Sequence, residues 1–171
     1  MKQISLPSVE ILPASHDDLA AIQQIAHTIW FEHYPGIISN AQISYMLAQD
    51  YTVESLSQDL ERGVSIDRLI LNSELQGFAA YGRYDDTLDF KLHKLYVMKS
   101  FHGQGLGSTL LAHVEKKCAN KGAQRLVLNV NKNNDKAIRA YQRNGYVKLE
   151  SVVVDIGGGF VMDDYIMGKT L

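Results

Sequence analysis

A single cysteine, Cys118, stands among the 171 residues, so no internal disulfide can form. The chain must hold its fold by burial. At this length a folded chain hides roughly 68–70% of the surface its unfolded form exposes, enough for a core without a disulfide or a metal staple. Three prolines are all there are, and no Pro/Ser-rich linker, low-complexity tract or internal repeat divides the sequence, which predicts one domain over residues 1–171. No stretch reaches the roughly 18 uninterrupted apolar residues of a membrane span. Met1 to Pro7 lacks the long apolar run of a secretory signal. Together these absences predict a cytoplasmic protein without a membrane partner.

Excess charge of one sign is also missing overall: 17 Lys+Arg face 19 Asp+Glu, a formal net charge of −2. That argues against a non-specific nucleic-acid binder. The charges are unevenly spread, however. Lys91 to Lys148 holds 12 basic residues against Glu115 and Asp135, or +10, while the remaining 5 basic and 17 acidic residues give −12. Such asymmetry suits a chain that handles an anion with one part and a cation with the other, and equally suits solvated helix faces. The basic residues are scattered over several predicted elements with no aromatic stacking motif, so no nucleic acid is expected as a partner.

Val9 to Leu12 is a short apolar run closed by Pro13 and predicts a strand. Ser15 and Asp18 stand three apart before Leu19, Ile22, Ile25, Ala26 and Ile29, the spacing of a capped amphipathic helix that stops before Pro35. Ser39 or Asn40 suits the start of a second helix carrying Ile43, Met46 and Leu47; Thr52 suits a third carrying Leu56 and Leu60, ended by Gly63. Beyond Gly63 the period shortens. Arg68 to Leu71 and Gly77 to Tyr81 flank Asn72, Ser73 and Glu74 as a hairpin, and a further strand spans Leu88 to Met98. Strict alternation there sets Leu92, Lys94 and Tyr96 on one face and Lys91, His93, Leu95 and Val97 on the other. A glycine loop then opens a helix with Leu106, Leu110, Leu111, Val114 and Cys118 on one side, stopped at Gly122. Leu126 to Val130 reads as a buried strand, Asn134 to Arg143 as a short helix, and Tyr146 to Ile156 with Val161 to Met167 as a closing pair around Gly157, Gly158 and Gly159. The strand, loop, helix, strand order in the middle demands a crossover and hence some parallel pairing, an α/β (α+β) class.

The strongest local signal is His102-Gly103-Gln104-Gly105-Leu106-Gly107-Ser108 between a strand and a helix. Glycines let a backbone approach a ligand closely, and the free N–H groups of a helix's first turn bind phosphate. Two common nucleotide loops do not fit. A Walker loop would end in Gly-Lys-Ser/Thr; the dinucleotide fingerprint would need glycine at 108 and an acid about twenty residues on, where the chain has Lys121 to Arg125.

Leu95-Tyr96-Val97, His102 to Gly107, Asn134 to Tyr141 and Gly145-Tyr146 together resemble the signature of the GNAT superfamily of acetyl-CoA-dependent N-acetyltransferases. The resemblance implies a mixed, mostly antiparallel sheet of about seven strands flanked by helices, with a parallel crossover at the coenzyme loop. It implies acetyl-CoA as co-substrate and no metal. Leu95, Tyr96 and Val97 would then pair with the pantetheine arm and offer an N–H to the thioester oxygen. The backbone of His102, Gly103, Gln104, Gly105, Leu106, Gly107 and Ser108 would hold the pyrophosphate, and Asn134 would bond the pantetheine. Tyr141 would protonate the leaving thiolate. A tyrosine at that helical spacing would otherwise read as core, and only its register with Asn134 and the loop assigns it the chemistry. His102 departs from the family's usual Gln/Arg, which touches a side-chain contact and leaves the backbone cradle intact.

Many family members carry a Glu on the strand before the loop, where Lys91 stands here. His93, on the same predicted face, is therefore the candidate base, since an imidazole with a pKa of about 6.5 accepts a proton directly or through water. His33 and Asp164 are rivals. The resemblance places the acceptor site between Trp30 to Ile38 and Gly157 to Tyr165. Trp30, His33, Tyr34, Phe160, Asp163 and Asp164 would supply aromatic faces and carboxylates for an ammonium, with Phe31 beside them. Tyr34 to Leu56 is also similar to polyamine-type members, so the expected partner is a small-molecule amine; a homodimer is compatible with the family. A non-catalytic acyl-CoA-binding module, and an enzyme acting on a protein or peptide amine, are the alternative readings.

Overall fold

The computed structural model describes residues 8–171, so the reading of Met1 to Pro7 lies outside the described residues. In chain order the elements are β1 (Val9–Pro13), α1 (Leu19–His33), α2 (Asn40–Asp50), α3 (Val53–Glu61), β2 (Ser65–Leu71), β3 (Glu74–Arg83), β4 (Asp89–Val97), α4 (Leu106–Asn120), β5 (Arg125–Asn131), α5 (Asp135–Arg143), β6 (Val147–Gly157) and β7 (Phe160–Thr170). The seven strands form one sheet in the order β1-β2-β3-β4-β5-β7-β6. Every neighbouring pair is antiparallel except β4 with β5, which α4 joins as a parallel crossover.

Helix starts follow the capping chemistry of the sequence. Ser39 Oγ accepts the N–H of Gln42 at 3.1 Å, and Thr52 Oγ1 accepts that of Ser55 at 3.1 Å, so each helix begins where a side chain can replace a missing backbone acceptor. Before α1, the Asp18 carboxylate takes the Ser15 N–H at 2.8 Å, but this box caps a single 3₁₀ turn, His16–Asp18, from which the helix continues. The first hairpin turns through Asn72 and Ser73, both at positive φ (51° and 68°), as a two-residue turn of the twist-matched kind requires.

The sheet separates two cores. On one face α1, α2 and α3 bury Leu19, Ile22, Ile29, Trp30, Ile43, Leu47 and Leu56 against Phe78 and Ala80 of β3. On the other, α4 and α5 bury Leu110, Leu111, Val114, Cys118 and Ile138 against Tyr81, Leu92, Leu126 and Leu128. Cys118 is fully enclosed, and burial pushes its thiol up to about 12, as befits a small core residue rather than a nucleophile.

The alternation read along β4 is broken. Ala80 pairs with Lys94 and Tyr81 with Leu92, so His93 has no partner on β3 and forms a bulge. One extra residue reverses the pleat. Leu92, Leu95 and Val97 consequently face the α4 core, whereas Tyr96 faces the α1–α3 core, and Lys94 joins it there beside Asp59 and Tyr51. Nothing in β4 itself announces the bulge, because it is a property of the pairing with β3.

Candidate active site

Past the bulge the sheet opens. Only Asp89 to Leu92 of β4 pair with Arg125 to Leu128 of β5; from there β4 stays with β3 and β5 with β7. The edge of β4 from His93 to Val97 is left without a strand on the β5 side. A cavity of about 1220 Å³ fills the gap, walled by both strands, the glycine loop, α5 and the ends of α1 to α3.

At one end lies the loop. Gly103 and Gly105 hold φ of 78° and 79°, left-handed values that cost any other L-residue about 1–2 kcal/mol, and Gly105 is the N-cap of α4. No N–H from Gly103 to Ser108 has a backbone acceptor among the described residues; the first helical bond is Thr109 N–H to Gly105 O at 2.9 Å. Six such N–H groups at the positive end of a 15-residue helix can together receive an anion such as a phosphate. The cavity lining includes Gly103, Gly105, Leu106, Gly107 and Ser108 but not the side of Gln104, whose amide reaches Ser100 O at 3.4 Å.

His102 is anchored at both ring nitrogens. Lys136 Nζ lies 2.8 Å from Nδ1 and Val97 O lies 2.8 Å from Nε2. An ammonium can only donate, so Nδ1 accepts and Nε2 carries the proton that Val97 O receives. This ties the free end of β4 to α5 and brings Lys136, which the sequence reading did not single out, to the loop. Asn134 caps α5: its Oδ1 accepts the Ala137 N–H at 3.4 Å and lies 3.2 Å from His33 Nε2, while its amide donors meet no described group. Seven residues on, Tyr141 lines the cavity with its ring on Tyr146 (centroids 5.6 Å apart). Burial pushes its phenol up to about 12, so it is protonated at neutral pH.

The other end is aromatic and mixed in charge. Trp30 stacks on Tyr34 with centroids 4.2 Å apart and meets Tyr51 edge-on at 5.2 Å; Tyr51 Oη donates to Tyr96 Oη at 3.0 Å. Burial raises the hydroxyls of Tyr34, Tyr51 and Tyr96 well above the ordinary range. Lys94 reaches Asp59 at 3.0 Å and lies over the Tyr51 ring. Asp50, Tyr51, Asp59 and Lys94 were not picked out from the sequence, because a contact between β4, α2 and α3 leaves no local pattern.

Trp30, His33, Tyr34 and Asp164 all line the cavity, whereas Phe160 and Asp163 do not. Phe160 packs on Tyr45 of α2 (5.2 Å), whose hydroxyl donates to Ile156 O at 2.8 Å. Asp163 turns outward and pairs with Lys132. Phe31 is exposed. His93 lines the cavity with much of its surface exposed, yet desolvation against the cavity wall, helped by Lys91 and Lys94, holds its imidazole below the ordinary range. It is neutral at pH 7 and a weak proton acceptor.

The sequence profile of the acetyltransferase (GNAT) family matches residues 22–146, spanning the loop, Asn134 and Tyr141. The chain belongs to the GNAT family. This GNAT chain is 29% identical over 161 residues to a spermidine N(1)-acetyltransferase of Thermoplasma acidophilum, covering 91% of this chain and 96% of that one. An uncharacterised N-acetyltransferase of Mycobacterium bovis is 33% identical over 100 residues, 58% of this chain and 63% of its own. Among solved structures, the PaiA N-acetyltransferase of T. acidophilum in complex with coenzyme A superposes with a TM-score of 0.80 at 27% identity, covering 96% of this chain and 99% of that one. A GCN5-related N-acetyltransferase from Rhodopseudomonas palustris shares the fold at 22% identity (TM-score 0.79; 100% of this chain, 99% of that one). The GNAT chain is therefore an acetyl-CoA-dependent N-acetyltransferase, with a seven-stranded, mostly antiparallel sheet.

Proposed function

We propose that this enzyme transfers the acetyl group of acetyl-CoA to a primary amine of a small molecule, with linear polyamines as the leading acceptor class, by direct attack in a ternary complex. The observation that supports it best is the divergence of β4 and β5, which gives one cavity a phosphate-binding end, Tyr141 and an aromatic, carboxylate-bearing end. The spermidine-acetylating relative supports the acceptor class.

In this reading the pyrophosphate lies on the N–H groups of Gly103 to Ser108 and the pantetheine runs along the open edge of Leu95 to Val97, with the Asn134 amide donating to it. The amine, freed of its extra proton, attacks the thioester carbonyl carbon. A C–N bond forms, and a β4 N–H receives the negative charge on oxygen. The C–S bond then breaks and the sulfur takes the Tyr141 proton; the proton left on nitrogen restores the phenol. Holding both reactants in line supplies much of the acceleration.

The test is thiol release from acetyl-CoA in the presence of spermidine, putrescine, single amino acids, an aminoglycoside and an N-terminal peptide. Release with the polyamines is the expected result. Release with the peptide alone would move the acceptor class to proteins, and acetyl-CoA binding without release by any amine would support a non-catalytic module.

A further inference from the structure

Three carboxylates line the cavity, and two of them have company or water. Asp59 is held by Arg62 at 2.6 Å and Lys94 at 3.0 Å, and Asp50 is exposed. Asp164 differs. It is only 5% exposed, and its Oδ1 meets no hydrogen-bond partner among the described residues.

Its place in the sheet explains the isolation. Asp164 pairs with Asn131, beyond the point where β4 leaves β5. Leu128 and Val130 of β5 point into the α4 core, so Asn129 and Asn131, and with them Asp164, point to the α1–α2 side, where Trp30 and Tyr34 stand. Four titratable groups act on it: Asp163 on its own strand, Lys91 from β4, Lys132 from the β5–α5 loop and Tyr34 just past the end of α1. Lys132 is already engaged by Asp163. Lys91 has no ion-pair partner among the described residues and lies over the Tyr84 ring at 5.4 Å.

Asn129 beside it offers the carboxylate a side-chain hydrogen bond, but one buried oxygen is left unpartnered, which is costly, and a ligand that brings a positive N–H donor removes the cost. We propose that Asp164 receives the reacting ammonium of the acceptor and takes the proton that must leave nitrogen before attack. The step balances: an N–H bond of the ammonium breaks, an O–H bond forms on Asp164, and the lone pair left on nitrogen makes the C–N bond. Burial raises the Asp164 carboxyl above its ordinary range, which strengthens it as a proton acceptor. The inference rests on the acetyl-transfer reading.

The experiment is the pH dependence of kcat/KM for wild type, Asp164→Asn and Asp164→Glu with the best acceptor of the panel above, alongside acetyl-CoA affinity by calorimetry. Asp164→Asn is expected to lower kcat/KM at pH 7 on the order of 100-fold, the low end of what a general base contributes. The deficit should shrink as pH rises, because solution then supplies free amine. Acetyl-CoA affinity should be unchanged, and Asp164→Glu should recover part of the rate. An equal loss at every pH, or a loss that tracks weaker acetyl-CoA binding, would mark a structural role and overturn the proposal. So would an Asp164→Asn enzyme with the wild-type profile. If wild type acetylates no amine, the acetyl-transfer reading fails first and takes this one with it.

Discussion

His102 shows how much one side chain can settle. In place of the usual Gln/Arg, an imidazole holds Lys136 on one nitrogen and the Val97 carbonyl on the other. The sequence revealed the substitution but not its partners, since Lys136 lies 34 residues away. An ammonium beside six free N–H donors is a natural phosphate ligand. Lys136→Met is expected to weaken acetyl-CoA binding several-fold and to flatten its salt dependence, as calorimetry at two ionic strengths would read. Tyr141 was legible only through its spacing from Asn134. With Tyr141→Phe, kcat should fall on the order of 100-fold while acetyl-CoA affinity holds, and an unchanged kcat would remove the phenol from the mechanism.

At the scale of elements, the helices were readable and the central strand was not. Ser39 and Thr52 mark helix starts by chemistry that lies within four residues. The bulge at His93 instead depends on how β3 registers against β4, across a separation no local window spans. It put Leu92 and Lys94 on opposite faces, with Leu92 in the α4 core and Lys94 paired with Asp59. Gly77 is part of the same arrangement: a Cβ there would lie 2.5 Å from Tyr96 O. Gly77→Ala should therefore push the Tyr96–Val97 end of β4, cost about 1–3 kcal/mol of stability in denaturant titration, and raise the KM for acetyl-CoA more than that for the amine.

Over the whole molecule, the +10 segment does coincide with the loop, α4 and α5. The division of charge is not clean, because Lys91 and Lys94 belong to that segment yet line the same cavity as Asp50, Asp59 and Asp164. Sequence counting assigns charges to stretches of chain, whereas a sheet distributes neighbouring residues to opposite faces. The depressed His93 also reaches stability. Its folded imidazole titrates at about 4 against 6.5 for an ordinary one, so the unfolded chain binds the proton first as pH falls. Stability should drop as pH goes from 6.5 towards 4, and His93→Gln should blunt that drop in thermal melts across the range.

The gap between β4 and β5 also divides the sheet mechanically. Strands β1 to β4 form one plate and β5, β7 and β6 another, joined along the sheet by four residue pairs and riveted at the closed end by Arg125 on Asp89 (2.5 Å). A coenzyme lying in the seam would splint the two plates together. Hydrogen exchange should then report protection on both β4 and β5 upon adding CoA, and cutting the rivet with Asp89→Asn should loosen the plates most when CoA is absent.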